Sequence, residues 1–321
     1  MKKLFTLIVA LWASALAVTL SAQTTQLATL LHEGEVSVFY GATALKDAHR
    51  AAADGDVITL SAGQFEAADI SKALTIRGAG MDLEGFASSN MPTVIQGTVE
   101  NSSSSLKLEG IEFASNFSFG SQPAQISAER CKFYQFTSNS SSSIILVNCV
   151  GIFDVKNAQC DAINCVFYGR PNNYLENYCS FQNCIFINKS TNSSVTYIPG
   201  GTYTNCIFES NSSIWEVSNR TTRTFNCIFC GTNKNSGFGD THSTDTVLNT
   251  ITTVFKEGTF YELMDEYKNI PGADGRQTGI YGGNIGFSQT PNIPQINRFQ
   301  VSPRTSADGK LSVEIEVQGI E

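Results

Sequence analysis

The chain's 321 residues carry a formal net charge of −8 with acidic and basic residues scattered, so no Lys/Arg stripe exists to neutralise phosphates and no nucleic-acid partner is expected. With 41% hydrophobic and only 16% charged residues, and with Ser, Thr, Asn and Gly abundant, the composition suits a folded chain rich in tight turns rather than a disordered one.

The opening "MKKLFTLIVALWASALAVTLSAQ" is two lysines, an apolar run and small residues, which reads as a secretory signal over residues 1–22 and a mature chain from Gln23. No later apolar run approaches the ~20 residues that cross a bilayer. The expected location is the periplasm, cell surface or medium of a bacterium, with no attached lipid because no cysteine follows the signal.

Next, "TALKDAHRAAADGD" predicts a helix over about 43–54, with Thr43 as N-cap, Leu45, Ala48 and Ala52 on one face and Gly55 after its end. Strands follow at Val57–Leu60 and Leu74–Ile76. From there the chain repeats itself. Asn164, Asn183, Asn205 and Asn226 each open an Asn-Cys-x-Phe unit, and the equivalent positions upstream are Gly110, Arg130 and Asn148, at spacings of 20, 18, 16, 19, 22 and 21 residues. A period near twenty is that of a solenoid. Behind each Asn stand Cys131, Cys149, Cys165, Cys184, Cys206 and Cys227, with Ile111 at the first repeat; two further on stand Phe113, Phe133, Gly151, Phe167, Phe186, Phe208 and Phe229. Residues two apart share a strand face. Leu106 and Leu108, Ile126 and Ala128, Ile144 and Leu146, Cys160 and Ala162, then Cys179 and Phe181 extend the same inward alternation before the corner. Each repeat is therefore strand, one-residue corner, strand, and a looser return: one rung of a parallel β-helix, whose variable returns absorb insertions because each rung pairs only with its neighbours.

Asn at the corner tolerates the left-handed conformation, as Gly does at 110 and 78, and its amide is expected to bond the amide of the next rung, forming a ladder over Asn148, Asn164, Asn183, Asn205 and Asn226. The cysteines read as small apolar filling. A line of thiols at the ~4.8 Å strand spacing cannot surround zinc, so no metal is expected, and most of the nine are expected to stay free. A raw sheet edge needs a lid. The helix is placed for one end, and "YELMDEYKNI" within a closing segment of about 256–290 reads as a short helix for the other. In the 291–321 tail, "KLSVEIEVQ" alternates as a strand that would lie along the solenoid's side.

The run Ala44–Gly80, with "DGDVITLSAGQF" and "ISKALTIRGAG", resembles the opening segment of the pectin-lyase-like superfamily, and with the Asn-Cys-x-Phe rungs the resemblance covers residues 36 to about 255. "GADGRQTGIYGGNIGF" and "PNIPQI" resemble the closing segments of uncharacterised β-helix proteins exported by Bacteroidetes. The resemblance implies an all-β, single-stranded, right-handed parallel β-helix over residues 23–290 with an N-terminal capping helix. It also implies a polysaccharide laid along an outer sheet. The catalytic patterns of polygalacturonase-like hydrolases are absent, and Arg170 and Pro171 stand in the wrong order for a pectate-lyase-like base. His32, His49 and His242 form no constellation.

Ligand candidates are Asp154, Glu176 and Glu216, carboxylates between rungs that could share one outer sheet, and Tyr174 and Tyr197, which could stack on sugar rings; Trp215 alternates inward. Calcium is the one ion such carboxylates would suit, without a motif to support it, and no cofactor is expected. The reading is a non-catalytic glycan binder acting as a monomer. A polysaccharide lyase or hydrolase with a divergent site, and an adhesive protein-binding spacer, are the alternatives. "DTV" at Asp245 resembles the short Asp-Thr-apolar pattern of Bacteroidetes O-glycosylation sites.

Overall fold

The computed structural model describes residues 26–83, 91–120, 122–138, 141–155, 158–168, 179–188, 195–198, 200–210, 214–217, 222–230, 240–241, 244–248, 253–289, 295–301 and 313–318; for strands 195–198, 214–217, 240–241, 295–301 and 313–318 it gives the backbone alone. The signal expected over residues 1–22 lies outside the described residues.

The chain is a parallel β-solenoid. Each turn contributes one strand to a first sheet, running from Val57–Leu60 to Asp240–Thr241, and one to a second, running from Gly63–Glu66 to Thr246–Leu248. Between them sit the corners, and seven in succession are left-handed: Gly110 (φ 64°), Arg130 (52°), Asn148 (54°), Asn164 (53°), Asn183 (53°), Asn205 (55°) and Asn226 (52°). That conformation lets the backbone ladder continue through the bend. Asn164 N–H donates to Gln182 O (3.0 Å) in the following turn, and Val166 N–H, two residues on, donates to Cys149 O (2.9 Å) in the preceding one.

Two expectations about the corner need correction. Gly78 is not left-handed; it is small because a Cβ there would come within 2.4 Å of Gly110 O. The amide ladder is not formed either. Asn148 is buried with neither amide atom paired, and the Oδ1 atoms of Asn164 and Asn183 are likewise without partners. The backbone bonds at the corner already link the rungs, so asparagine joins them through its conformation. Cysteine contributes more than volume. The Cys149 thiol lies within reach of Val147 O (3.4 Å) and Ala128 O (3.3 Å), and Cys206 sits likewise against Thr204 O and Phe181 O (3.4 Å each), filling the second lone pairs of carbonyls at the bend.

Inside, the expected alternation holds. Leu106, Ile126, Ile144 and Cys160 align, as do Leu108, Ala128, Leu146, Ala162, Phe181 and Tyr203, and all are buried. The phenylalanines after the corner form stacks: Phe113 on Phe133 (5.0 Å), Phe167 on Phe186 (4.9 Å), Phe186 on Phe208 (4.9 Å) and Phe208 on Phe229 (4.7 Å). Gly151 interrupts the column because a Cβ would meet Phe133 O at 2.3 Å, and Phe153 fills the gap, 5.6 Å from Phe133 and 5.1 Å from Phe167.

At the N-terminus, helix α1 (Ala44–Ala51) ends earlier than predicted; Ala44, Leu45 and Ala48 are buried in the same cluster as the interior, and Ala52 follows as the C-cap. Thr43 occupies the N-cap position, but its hydroxyl bonds Asp47 rather than a backbone N–H. The Lys72 ammonium braces the helix end through the carbonyls of His49, Arg50 and Ala52 (2.7, 3.0 and 2.6 Å). The edge of the first sheet is extended by an element the sequence reading missed, an antiparallel hairpin of Leu27–His32 and Glu35–Tyr40 laid against Val57–Leu60. His32, half-exposed, bonds Asp56 at 2.9 Å and ties the hairpin to the first rung.

Residues 253–287 contain no helix and do not close the far end. They turn back over the second sheet, where Val254, Phe255, Phe260, Leu263 and Ile280 cover an apolar row made of Val150, Val166, Ile185, Ile207 and Ile228. They then run along the corners: Ala273 N–H donates to Asn205 Oδ1 (2.6 Å), Gly279 N–H to Asn205 O (2.9 Å), and Asn164 Nδ2 to Ile285 O (2.5 Å). A Cβ on Gly283 would strike Asn183 Nδ2 at 2.3 Å, so this path requires glycine. The tail strand Val313–Gln318 pairs antiparallel with Gln295–Val301 in a sheet of its own, not with the solenoid strands.

Two outcomes follow from this packing. Phe186→Ala, which empties a site between two stacked rings, is expected to cost about 3–5 kcal/mol in urea denaturation. The His32–Asp56 pair makes stability depend on pH. The hydrogen bond and charge of Asp56 raise His32 above its ordinary 6.5, so its contribution is full below 6.5 and fades as pH rises through the folded value. Burial works to raise Asp56, but the Ala53 N–H and His32 outweigh it and lower the carboxyl below 3.8, so its contribution fades as pH falls through that lower value. The melting-temperature advantage of wild type over His32→Gln is therefore expected to be largest between 3.8 and 6.5 and to shrink on the alkaline side.

Candidate functional site

A cleft follows from how the second sheet is covered. In each Asn-Cys-x-Phe unit Cys and Phe bracket an outward residue, and the next outward positions are Tyr168, Ile187, Glu209 and Cys230. The cover packs over the isoleucines but leaves a cleft of ≈ 910 Å³ where the hairpin around Gly258 meets the sheet; Tyr168, Glu209 and Lys132 line the sheet side, and Phe255, Phe260 and Tyr261 the other. The Phe255–Leu263 bridge closes that hairpin, and Tyr261 is held at φ 57°.

Three polar side chains meet in the cleft. Burial, reinforced by the neighbouring Tyr168 phenol with its hydrogen bond and by the Glu209 carboxylate, drives the Tyr261 hydroxyl well above the ordinary phenol value. Tyr261 thus keeps donor and acceptor capacity beside a carboxylate, its ring 6.3 Å from that of Tyr168. Lys132, paired with Glu112 (3.2 Å) and donating to Asp82 O (3.0 Å), fixes one wall. Lys256 and Glu257 stand exposed at the rim. Phe255 and Phe260 are themselves buried, so the groups this lining offers a polyhydroxylated ring are the part-exposed Tyr168 and Tyr261 with Glu209 and Lys132.

The residues proposed from sequence fall elsewhere. Asp154 is half-buried on Val150–Val155, on the same outer face as Val150 at the cleft but four residues along, about 13 Å. Glu216 does not share that sheet: its strand Ile214–Val217 pairs with Val195–Ile198 in a separate parallel pair, where Glu216 stands opposite Tyr197. The side chains of Tyr197, Trp215 and Glu216, and the whole of Tyr174, Glu176, Arg170 and His242, lie outside the described residues. His32 binds Asp56 and His49 accepts the Ser71 N–H, so neither is near the cleft chemistry. Asp245 has a structural task, accepting from Cys227 N–H (2.8 Å) and Thr224 Oγ1 (2.5 Å) at the last rung. Among the described residues no group of three or more His, Cys, Asp or Glu could hold a metal ion, and no helix is long and apolar enough to cross a membrane.

All nine cysteines are free and buried. Burial pushes Cys131, Cys160, Cys165 and Cys206 well above the ordinary thiol range and Cys179 up to about 11; burial and then Glu209 push Cys230 up to about 12. Because all nine are shielded from solvent, thiol reagents are expected to find no rapidly reacting cysteine in the native protein and nine after unfolding without reductant. Compared with known proteins, the chain matches no family model and no curated protein sequence.

Proposed function

We propose that this chain is an exported, non-catalytic glycan-binding solenoid of the pectin-lyase-like kind, and that the cleft beside Tyr168, Glu209 and Tyr261 seats the sugar. The observation that carries the reading is the lining itself, two part-exposed tyrosines backed by buried phenylalanines, with a carboxylate and a lysine, on the outside of the stack. The opening segment of the chain supports export. The apolar row under residues 253–287 argues against a polysaccharide lying along the whole second sheet, since that face is already occupied. Recognition is thus confined to a few sugar units.

Native gels containing plant, host and bacterial polysaccharides, run with and without calcium, test the reading. One polymer is expected to retard the mature protein, and Tyr168→Ala is expected to weaken that binding about 5-fold, the equivalent of roughly 1 kcal/mol for a lost ring contact. Unchanged mobility in every gel would contradict it, and shortened products would replace binding with catalysis.

A further inference from the structure

Among the described residues, the N-terminal hairpin leaves a sheet edge without a neighbouring strand. Its two-residue loop, Glu33 (φ 49°) and Gly34 (φ 87°), makes His32 and Glu35 a hydrogen-bonded pair, and alternation then turns the backbone groups of Glu35, Ser37 and Phe39 toward Leu27–His32. The Gly41 N–H bond to Gln26 O agrees with that parity. The N–H and C=O groups of Val36, Val38 and Tyr40 consequently point away from the sheet. Their side chains are exposed as well, at 63%, 43% and 65%, and Leu31 beside them is 44% exposed. Residues 35–40 contain no lysine or proline and the hairpin register has no bulge; the charges nearby are Glu35 at the loop end and Asp47 and Arg50 of α1 beside Val38 and Tyr40.

We propose that this edge pairs with the same edge of a second copy of the chain, making a two-fold, head-to-head dimer in place of the monomer expected from sequence. The strand is complementary to itself. With Val38 opposite Val38 of the other copy, Val36 stands opposite Tyr40 in both directions, and the outward groups of all three residues find partners. Val36, Val38, Tyr40 and their counterparts then form one apolar row across the junction. The one charged residue of the strand is accommodated: Glu35 faces Gly41, and the two Glu35 residues stand six positions apart, about 20 Å. A parallel arrangement would set Glu35 against Glu35 and is disfavoured.

Sedimentation of the mature protein is expected to give twice the chain mass. Val38→Pro removes only an outward donor, so it is expected to fold and to sediment as one chain; Val38→Lys is the second variant should proline disturb the hairpin. Register is tested independently. Because the native thiols are buried, mild oxidation of Val38→Cys is expected to yield a covalent dimer, whereas Val36→Cys, four positions from its own copy and about 14 Å away, is not. A wild-type protein that sediments as one chain at all concentrations would overturn the proposal. So would a dimer that survives both Val38 variants, or equal cross-linking at both positions.

Discussion

The structure depends on one backbone conformation, the left-handed corner at φ between 52° and 64°, repeated seven times in register. A single left-handed residue turns the chain and still leaves its N–H aimed at the following rung. Once the corner is set, the residue after it must point inward, where cysteine stands at six of the seven positions and Ile111 at the first, and the residue two further on must fill the interior. Cysteine and phenylalanine satisfy these demands in turn. The cost of the corner, on the order of 1 kcal/mol for a residue with a Cβ, is least for Gly and Asn, which explains the choice at six of the seven positions. Arg130, buried and paired with Glu129, is the departure.

Much of this was legible in the sequence because solenoid physics is periodic. The corner positions, the inward columns and the two opening strands could be counted directly, and the phenylalanine column was readable down to its interruption at Gly151. The amide ladder was a wrong inference because an asparagine chosen for φ looks the same, in sequence, as one chosen for its side chain. The hairpin of residues 27–40 was missed because its alternation lies outside the repeat.

The cover over the second sheet left a signal that went unused. The letter between Cys and Phe is Val or Ile at 150, 166, 185, 207 and 228, except that Gly replaces Phe at 151, and alternation makes those letters outward. An outward row of β-branched residues demands a covering segment. Residues 253–287 supply it, and their glycines allow the close approach to the corners. The cleft is a product of that contact, at the place where the aromatic-rich hairpin meets Tyr168 and Glu209. No repeat arithmetic could find it, since its two walls are some 90 residues apart in the chain and only folding brings Tyr168 to Tyr261. The carboxylates Asp154, Glu176 and Glu216 attracted notice for their spacing between rungs, yet the return loops carry Glu216 away from the sheet that holds Asp154.

The central claim is that the corner asparagine joins the rungs through its backbone and not its amide, which at Asn164 and Asn205 holds the covering segment instead. Asn148 offers the most direct test, since both of its polar side-chain atoms are buried and unpaired. The unfolding free energies of wild type, Asn148→Gly and Asn148→Ala should be measured side by side. The account predicts that glycine is neutral or stabilising, because it keeps the left-handed corner and removes unpaired polar atoms, while alanine costs about 1–2 kcal/mol. A glycine variant as damaged as the alanine variant would show that the amide holds the rungs together, and would contradict the account.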